Sequence, residues 1–513
     1  MARHRHLIVL AGLLSLYGYF VHFWPTFHTA NESIRLYFVQ SVVDAHTPHV
    51  DGVLERYHMG NVDRAEVDGH ATLDKAPGLS YVVMPLYWVL TRLGMPTGFA
   101  QLPRLWHLLL LFGVALPCVL GVAAARRVVF AWTSDDRAAW TAALILGLCT
   151  PYAIYATLFF GHGPAAALAM LAFSALVTDR PLLCGALAGA MVLVDTPTLV
   201  LAAGLGVGAG LRRRDWRDLA RFAAGAAPFG LAQLAHNQWL FGDPFTLAYG
   251  RKASGAFASI HSQGLYGFRL PTVEALLGLL AGAKRGLLVY SPVLLAAIPG
   301  LRLMWRKRRF DAALLMTLVM AYVLWIASFV DWTAGTSYGP RHLLPIVPLL
   351  ALPVGVAVAD PATWRWLRFV LPGLAVVSFA SAWLPIATFP YASEHLVAPV
   401  YQLAYPLASE GHFSPNLGRA LGVPEAWSAF PALLLALGIV ALLKPSRTMV
   451  AVSLIGLVLF VGVAVGLRSQ PLDREGLAAR TMAECLMDHE PTGREVCAAA
   501  QGRWSERACA CVK

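Results

Sequence analysis

Charge is what this sequence has little of. Of its 513 residues only 13% are charged, 58% are hydrophobic, and the mean hydropathy is +0.60. Soluble globular domains carry about 25% charged residues, so a water-soluble enzyme is excluded and the chain reads as a polytopic membrane protein. The same figures exclude a disordered chain, a coiled coil, a collagen-like fibre and a small disulfide scaffold. Catalytic signatures are missing as well. There is no His-x-x-x-His pair, nucleophile elbow, P-loop or dinucleotide fingerprint, which leaves hydrolase, nucleotidase and haem readings without support. Cysteine is scarce: three of the 7 (Cys118, Cys149, Cys184) lie in apolar runs as small hydrophobes.

The net charge of +11 is explained by its placement. Arg126-Arg127, Arg212-Arg213-Arg214 and Arg306-Lys307-Arg308-Arg309 fall between apolar runs, as cytoplasmic loops do under the positive-inside rule. No basic stripe with interleaved aromatics lies elsewhere, so a nucleic-acid partner is not expected. The first apolar run, Leu7 to Phe23, follows a short basic N-terminus that this pattern places in the cytoplasm. A polar loop of residues 24–101 then lies outside and includes the 13-residue apolar stretch Tyr81 to Leu93, too short to cross and read as an interfacial helix. Later runs at 102–125, 138–158, 163–178, 182–194, 197–211, 219–240, 286–303, 312–330, 342–358, 369–388, 429–443 and 448–467 bring the expected fold to an all-α bundle of about 13 transmembrane helices. Residues 182–211 read as two short helices or a re-entrant hairpin turning at Asp195-Thr196-Pro197. Alternation leaves an external tail, 468–513, holding Cys485, Cys497, Cys509 and Cys511. Four cysteines in a short polar segment point to disulfides and an oxidising compartment. A Cys509–Cys511 bridge is strained, two other pairings stay open, and a tetrathiolate zinc site is the rival reading.

Ionisable residues gather in two places. The first runs from Asn31-Glu32 through Arg35, Tyr37, Asp63 and His70 to Asp74-Lys75-Ala76-Pro77-Gly78, and the second from Asp331 through Tyr338 to Arg341-His342. Each has a plain structural reading beside the functional one. Glu32 suits the first turn of a helix, Lys75 and Arg341 suit lipid headgroups, Asp195 suits a cap for a helix starting at Pro197, and His162 and His236 read as satisfied helix-end histidines.

Taken in order, these segments resemble the GT-C superfamily of polyprenyl-phosphate-sugar glycosyltransferases, which includes protein O-mannosyltransferases and the aminoarabinose transferase of lipid A. The resemblance rests on one span followed by Asn31-Glu32-x-x-Arg35-x-Tyr37, a long loop, Gly69-His70, Asp74-Lys75-x-Pro77-Gly78, Pro85, Tyr87 and Leu102-Pro103-Arg104. Downstream it continues through His236-Asn237, Phe241-Gly242-Asp243-Pro244, Arg285 to Pro292, and Asp331 to Pro345, in a bacterial branch. Many relatives carry Asp-Glu where this chain has Asn31-Glu32.

The resemblance implies a catalytic membrane module over 1–360, further spans over 361–467 and the tail over 468–513. It implies transfer of a sugar from a polyprenyl-phosphate donor to a hydroxyl of a lipid, glycan or protein at the external face of a bacterial inner membrane. One credible base and no nucleophile pair imply inversion. Glu32 is then the base, Lys75 and Arg341 meet the leaving phosphate, and Arg35, Asp63, His70, Asp74, Asp331, Tyr338 and His342 contact substrate. No motif demands a cofactor, although Asp63 and Asp74 offer the oxygen ligands that magnesium or manganese takes. A transporter or lipid flippase would place its ionisable residues at the midplane and show internal repeats, neither of which is evident here. A lipid-linked oligosaccharide ligase and a non-catalytic assembly protein compete with the transferase as well.

Overall fold

The computed structural model describes residues 2–21, 29–57, 61–98, 102–253, 255–468, 472–488, 503–505 and 510–512. Helices dominate. The first, α1 (Ala2–Phe20), is followed by α2 (Ala30–Ala45), α3 (Asp51–Arg56) and α4 (Gly78–Arg92). Between α3 and α4 lies an element that the all-α expectation omits, a hairpin of β1 (Arg64–Val67) and β2 (His70–Leu73), registered from Arg64 opposite Leu73 to Val67 opposite His70. Its two-residue turn, Asp68-Gly69, takes positive φ at both positions (51° and 83°), the geometry that matches the twist of paired strands. A second small hairpin pairs Arg503–Ser505 with Ala510–Val512.

Four helices are long and apolar enough to cross a membrane: Leu102–Thr133, Arg309–Ala327, Arg341–Ala359 and Arg447–Arg468. Counting the bent pair Pro361–Leu367 and Leu371–Ala387 as one span makes five among the described residues. The figure of about 13 spans is therefore not reproduced by full-length helices. The apolar runs are present, but proline and glycine divide them. The 138–158 run is a helix ending at Leu148 and a short turn, Tyr152–Tyr155, after Pro151. The 286–303 run is three pieces, Leu287–Tyr290, Pro292–Ala296 and Ala297–Lys307. The helices Arg5–Phe20, His162–Val177, Pro181–Val194 and Glu425–Ala441 are apolar but shorter.

The 182–211 segment is two helices, Pro181–Val194 and Leu199–Arg213, joined by a tight turn at Thr196–Thr198. The first of them packs intimately on Trp216–Phe241, because glycine lines the crossing. A Cβ on Gly185 would fall 1.9 Å from the Phe222 carbonyl oxygen, and one on Gly225 2.1 Å from that of Leu182. Close backbone approach through small residues is how apolar helices associate where lipid removes the hydrophobic drive. Helix α4 remains amphipathic and is not among the membrane-crossing helices.

Of the tail cysteines, Cys497 and Cys509 lie outside the described residues, as do the side chains of Cys485 and Cys511. Cys118, Cys149 and Cys184 are buried free thiols.

Candidate functional site

A cavity of about 280 Å³ opens where the start of α2, the turn before α4, the Asp195 turn and the 326–342 segment converge. Its wall takes Arg35, Asp63, Lys75, Asp331, Arg341 and His342, so the two segments that the sequence separates by more than 250 residues meet in one place.

The Asp74-Lys75-Ala76-Pro77-Gly78 turn is held from several sides. Arg35 donates through a guanidinium N–H to the Ala76 carbonyl (2.9 Å), and the Ser80 hydroxyl donates back to the Arg35 carbonyl (3.1 Å). Gly78 is required by proximity, since a Cβ there would sit 2.6 Å from the Leu193 carbonyl oxygen. Lys75 Nζ lies 3.1 Å from Asp63 Oδ2 and 3.2 Å from Asp74 Oδ2. A second ammonium, from Lys252, closes on the same Asp74 oxygen. Burial works against the Lys75 charge, but Asp63 and Asp74 outweigh it and hold its pKa above the ordinary value. Asp74 is held below the ordinary carboxylate range, its burial outweighed by Lys75 and Lys252.

Across the cavity, Arg341 lies with its guanidinium 5.3 Å from the centre of the Phe160 ring. It has no carboxylate within ion-pair distance among the described residues, although its charge acts on Asp331, and its buried Nε lacks a hydrogen-bond partner. Asp331 accepts from the Thr333 hydroxyl and the Ala334 amide, both at 3.2 Å, and burial raises its pKa. The loop between Asp331 and Arg341 is fastened by the fully buried Arg285. That guanidinium donates to the carbonyls of Thr333 and Ser337, each at 2.5 Å, and to that of Gly335. Residues after 360 reach the site as well: the Ser337 amide donates to the Ala392 carbonyl (2.8 Å).

Glu32 does not reach the wall. Its carboxylate is fully buried, accepting from the Phe159 amide at 2.7 Å and the Thr29 hydroxyl at 2.9 Å, with the Tyr391 hydroxyl against it. Desolvation raises its pKa from 4.5 to about 7. The neighbours Thr29, Ala30 and Asn31 line the cavity in its place. His70 lies at the hairpin turn, its exposed ring 3.5 Å from Asp51. Tyr338 is wholly buried, and its carbonyl accepts from the Tyr155 hydroxyl. Asp74 sits beneath Lys75 and Lys252 rather than on the wall.

The cavity also holds residues whose sequence context suggested only structural roles. Asp195 does not cap the helix after it; its Oδ2 instead accepts from His162 Nδ1 at 2.8 Å, and both side chains line the wall. Tyr249 and Lys252 arrive from a connection that carries no recognisable motif, and His261 from the end of the short helix Gly255–His261. His236 is satisfied by the Tyr81 hydroxyl at 2.6 Å, as a helix-end histidine should be.

A divalent cation does not fit Asp63 and Asp74, because ammonium groups already occupy the position between and beside them. No trio of His, Cys, Asp or Glu able to hold a metal occurs among the described residues.

No protein-family model and no curated protein matches the sequence. Among solved structures, the chain is similar to ArnT from Cupriavidus metallidurans bound to undecaprenyl phosphate, with a TM-score of 0.50 and 16% identity over 90% of this chain and 76% of that one. The apo state of the same protein gives 0.49 and 16% identity over 94% and 79%. The archaeal oligosaccharyltransferase AglB from Archaeoglobus fulgidus, in complex with an inhibitory peptide and a dolichol-phosphate, gives 0.42 and 11% over 97% and 59%. The chain thus shares its fold with that ArnT structure, and its long apolar helices mark it as an integral membrane protein.

Proposed function

We propose that this protein is a membrane glycosyltransferase that moves a sugar from a polyprenyl-phosphate carrier to an acceptor hydroxyl on a lipid, glycan or protein, inverting the anomeric centre. The reaction is placed at the external face of a bacterial inner membrane, with the N-terminus cytoplasmic and the C-terminus outside. Residues 1–360 carry most of the site, with 361–467 bracing it and 468–513 forming a disulfide-bonded tail.

One observation carries the reading: Lys75 and Arg341, brought from opposite ends of the module, line a single small cavity in a fold shared with a protein crystallised with undecaprenyl phosphate. Breaking a glycosyl phosphate bond builds negative charge on the departing oxygens, and preorganised cations there lower the barrier. Arg341, with no carboxylate within ion-pair distance among the described residues, presents a fork for two phosphate oxygens, and Lys75 adds a point charge held ionised by its two aspartates. Asp63 and Asp331 face the same space as acceptors for sugar hydroxyls. The volume lies near the lower end of small-molecule sites, about 300–1,000 Å³, which suits a monosaccharide better than a preassembled chain. Glu32, sealed behind the wall, positions the Phe159 to His162 segment.

The test is lipid analysis of a deletion strain beside reconstituted protein. A polyprenyl-phosphate sugar should accumulate in the deletion and be restored to normal by the wild-type chain but not by Arg341→Ala. An unchanged lipid pool, together with no release of polyprenyl phosphate by the purified protein, would discard the reading.

A further inference from the structure

On the glycosyl-transfer reading, we propose that His162 is the proton acceptor for the incoming hydroxyl and that Asp195 is the residue that positions it. The carboxylates around the cavity are otherwise engaged. Glu32 is fully buried, with both oxygens engaged. Asp63 lies 3.1 Å from Lys75, Asp74 is buried between two ammonium groups, and Asp331 is tied through Oδ1 to its own turn and stands beside the Arg341 charge, so that it falls on the phosphate side.

His162 differs from all of these. Its Nδ1 donates to Asp195 Oδ2 at 2.8 Å, which fixes the tautomer and leaves the lone pair on Nε2. Nε2 makes no hydrogen bond among the described residues, and the side chain forms part of the cavity wall. A carboxylate that orients imidazole and stabilises imidazolium is a general device for proton abstraction from hydroxyls. The ring is locked in place, stacked on Phe160 at 6.2 Å and edge-on to His342 at 5.3 Å, with Tyr155 at 6.2 Å.

Phe160 connects the two halves of the chemistry. Arg341 packs against this ring and His162 stacks on it, so phosphate cation and base are set one aromatic residue apart. The charged and titratable groups facing the imidazole are Asp195 from the turn before Pro197, Arg35 from α2, Tyr155 from the short turn Tyr152–Tyr155, and Arg341 and His342 from the last segment. In the step itself, the acceptor oxygen forms a bond to the anomeric carbon while its proton passes to Nε2. The carbon–oxygen bond to phosphate breaks, and its electron pair leaves on the phosphate beside Lys75 and Arg341. The imidazolium then returns the proton to solvent.

Asn31, on the same wall, carries an amide that takes up no proton, and the His162–Asp195 pair supplies a proton acceptor from a different element.

The experiment uses the full chain in detergent or liposomes with a polyprenyl-phosphate sugar and measures kcat, donor KM and donor binding across pH. His162→Gln should lower kcat by about 100-fold or more with donor binding unchanged, and added imidazole should partly restore His162→Ala. Asp195→Asn should lower kcat and move the acidic limb of the pH profile. Wild-type kcat in His162→Gln would overturn the assignment. So would a joint fall in membrane abundance, donor binding and kcat without imidazole rescue, which marks a structural role. Failure of the wild-type chain to bind or turn over any such donor would instead overturn the glycosyltransferase reading beneath it.

Discussion

The Glu32 carboxylate accepts the Phe159 amide hydrogen at 2.7 Å across 127 residues of sequence, tying the first turn of α2 to the segment that carries Phe160 and His162. Phe159 and Phe160 run just before the helix His162–Val177, outside any helix or strand. The buried carboxylate thus takes up an amide hydrogen that regular secondary structure does not.

The same burial makes Glu32 a source of pH dependence. Its pKa rises from 4.5 to about 7 on folding, so between these values the folded state binds the proton that the unfolded chain has released. Its contribution to stability is fully present below about pH 4.5 and is lost as pH rises through 7, by about 3 kcal/mol. Thermal unfolding in detergent, followed from pH 5 to pH 8, should show a fall in Tm that Glu32→Gln flattens. Identical slopes in the two proteins would count against this. Loss of transfer in Glu32→Gln at unchanged Tm would return the base role to Glu32.

Asp74 obeys the opposite sign. Held below its ordinary range by Lys75 and Lys252, it stabilises the fold above that range, and the contribution is lost as acid protonates it. Asp74→Asn leaves two buried ammonium groups facing each other and should cost about 3–5 kcal/mol. Pairing it with Lys252→Met should recover part of that loss, because the Lys252 charge is removed together with the carboxylate that faced it. Denaturation of single and double variants in one detergent measures the coupling, and strict additivity would show that the Asp74–Lys252 contact carries no energy.

Much of this is legible in the sequence. Six of the ten residues singled out for chemistry or substrate contact line one cavity, because motifs rich in Pro, Gly and charge are where a membrane fold spends polar groups. The Asp68-Gly69 pair is also a readable hairpin signal, though a faint one because its flanking strands are only four residues each. The His162–Asp195 pairing is not legible. Each residue has an ordinary local explanation, as helix start or cap, and only the packing of two helices brings them within 2.8 Å. The depth of Glu32 is likewise hidden, since a first-turn acid is usually solvated and this one is covered by Thr29, Phe159 and Tyr391. Tyr249 and Lys252 enter through a loop without pattern, and no spacing rule anticipates them.

Gly78 tests whether the Lys75 turn depends on the helix Pro181–Val194. A side chain there meets the Leu193 carbonyl at 2.6 Å, and backbone cannot yield as a flexible side chain would. Gly78→Val should destabilise by about 1–3 kcal/mol and, by shifting Lys75 and Ala76, raise donor KM more than it lowers kcat. Unchanged donor KM in a folded variant would show that the turn tolerates the displacement.

Arg285 is the strongest case for a positioning residue in the second half of the site. Three loop carbonyls, from Thr333, Gly335 and Ser337, converge on one guanidinium beside a longer contact to the Lys284 carbonyl, so most of its hydrogen bonds go to dipoles that the loop supplies. The loop in turn has little regular structure between Val330 and Arg341, and Ala334, Gly335 and Gly339 take positive φ. Lysine offers one nitrogen in place of a planar fork and can satisfy at most part of this set. Arg285→Lys should therefore cost about 2–4 kcal/mol and loosen Arg341, raising donor KM. Arg285→Met, which leaves all three carbonyls unpaired, should be worse in both respects. Limited proteolysis at the 331–340 loop measures the loosening directly: cleavage should accelerate in both variants and slow again when donor is added. A loop equally protected in Arg285→Met and wild type would mean that its conformation is set by the Ser337–Ala392 pairing instead.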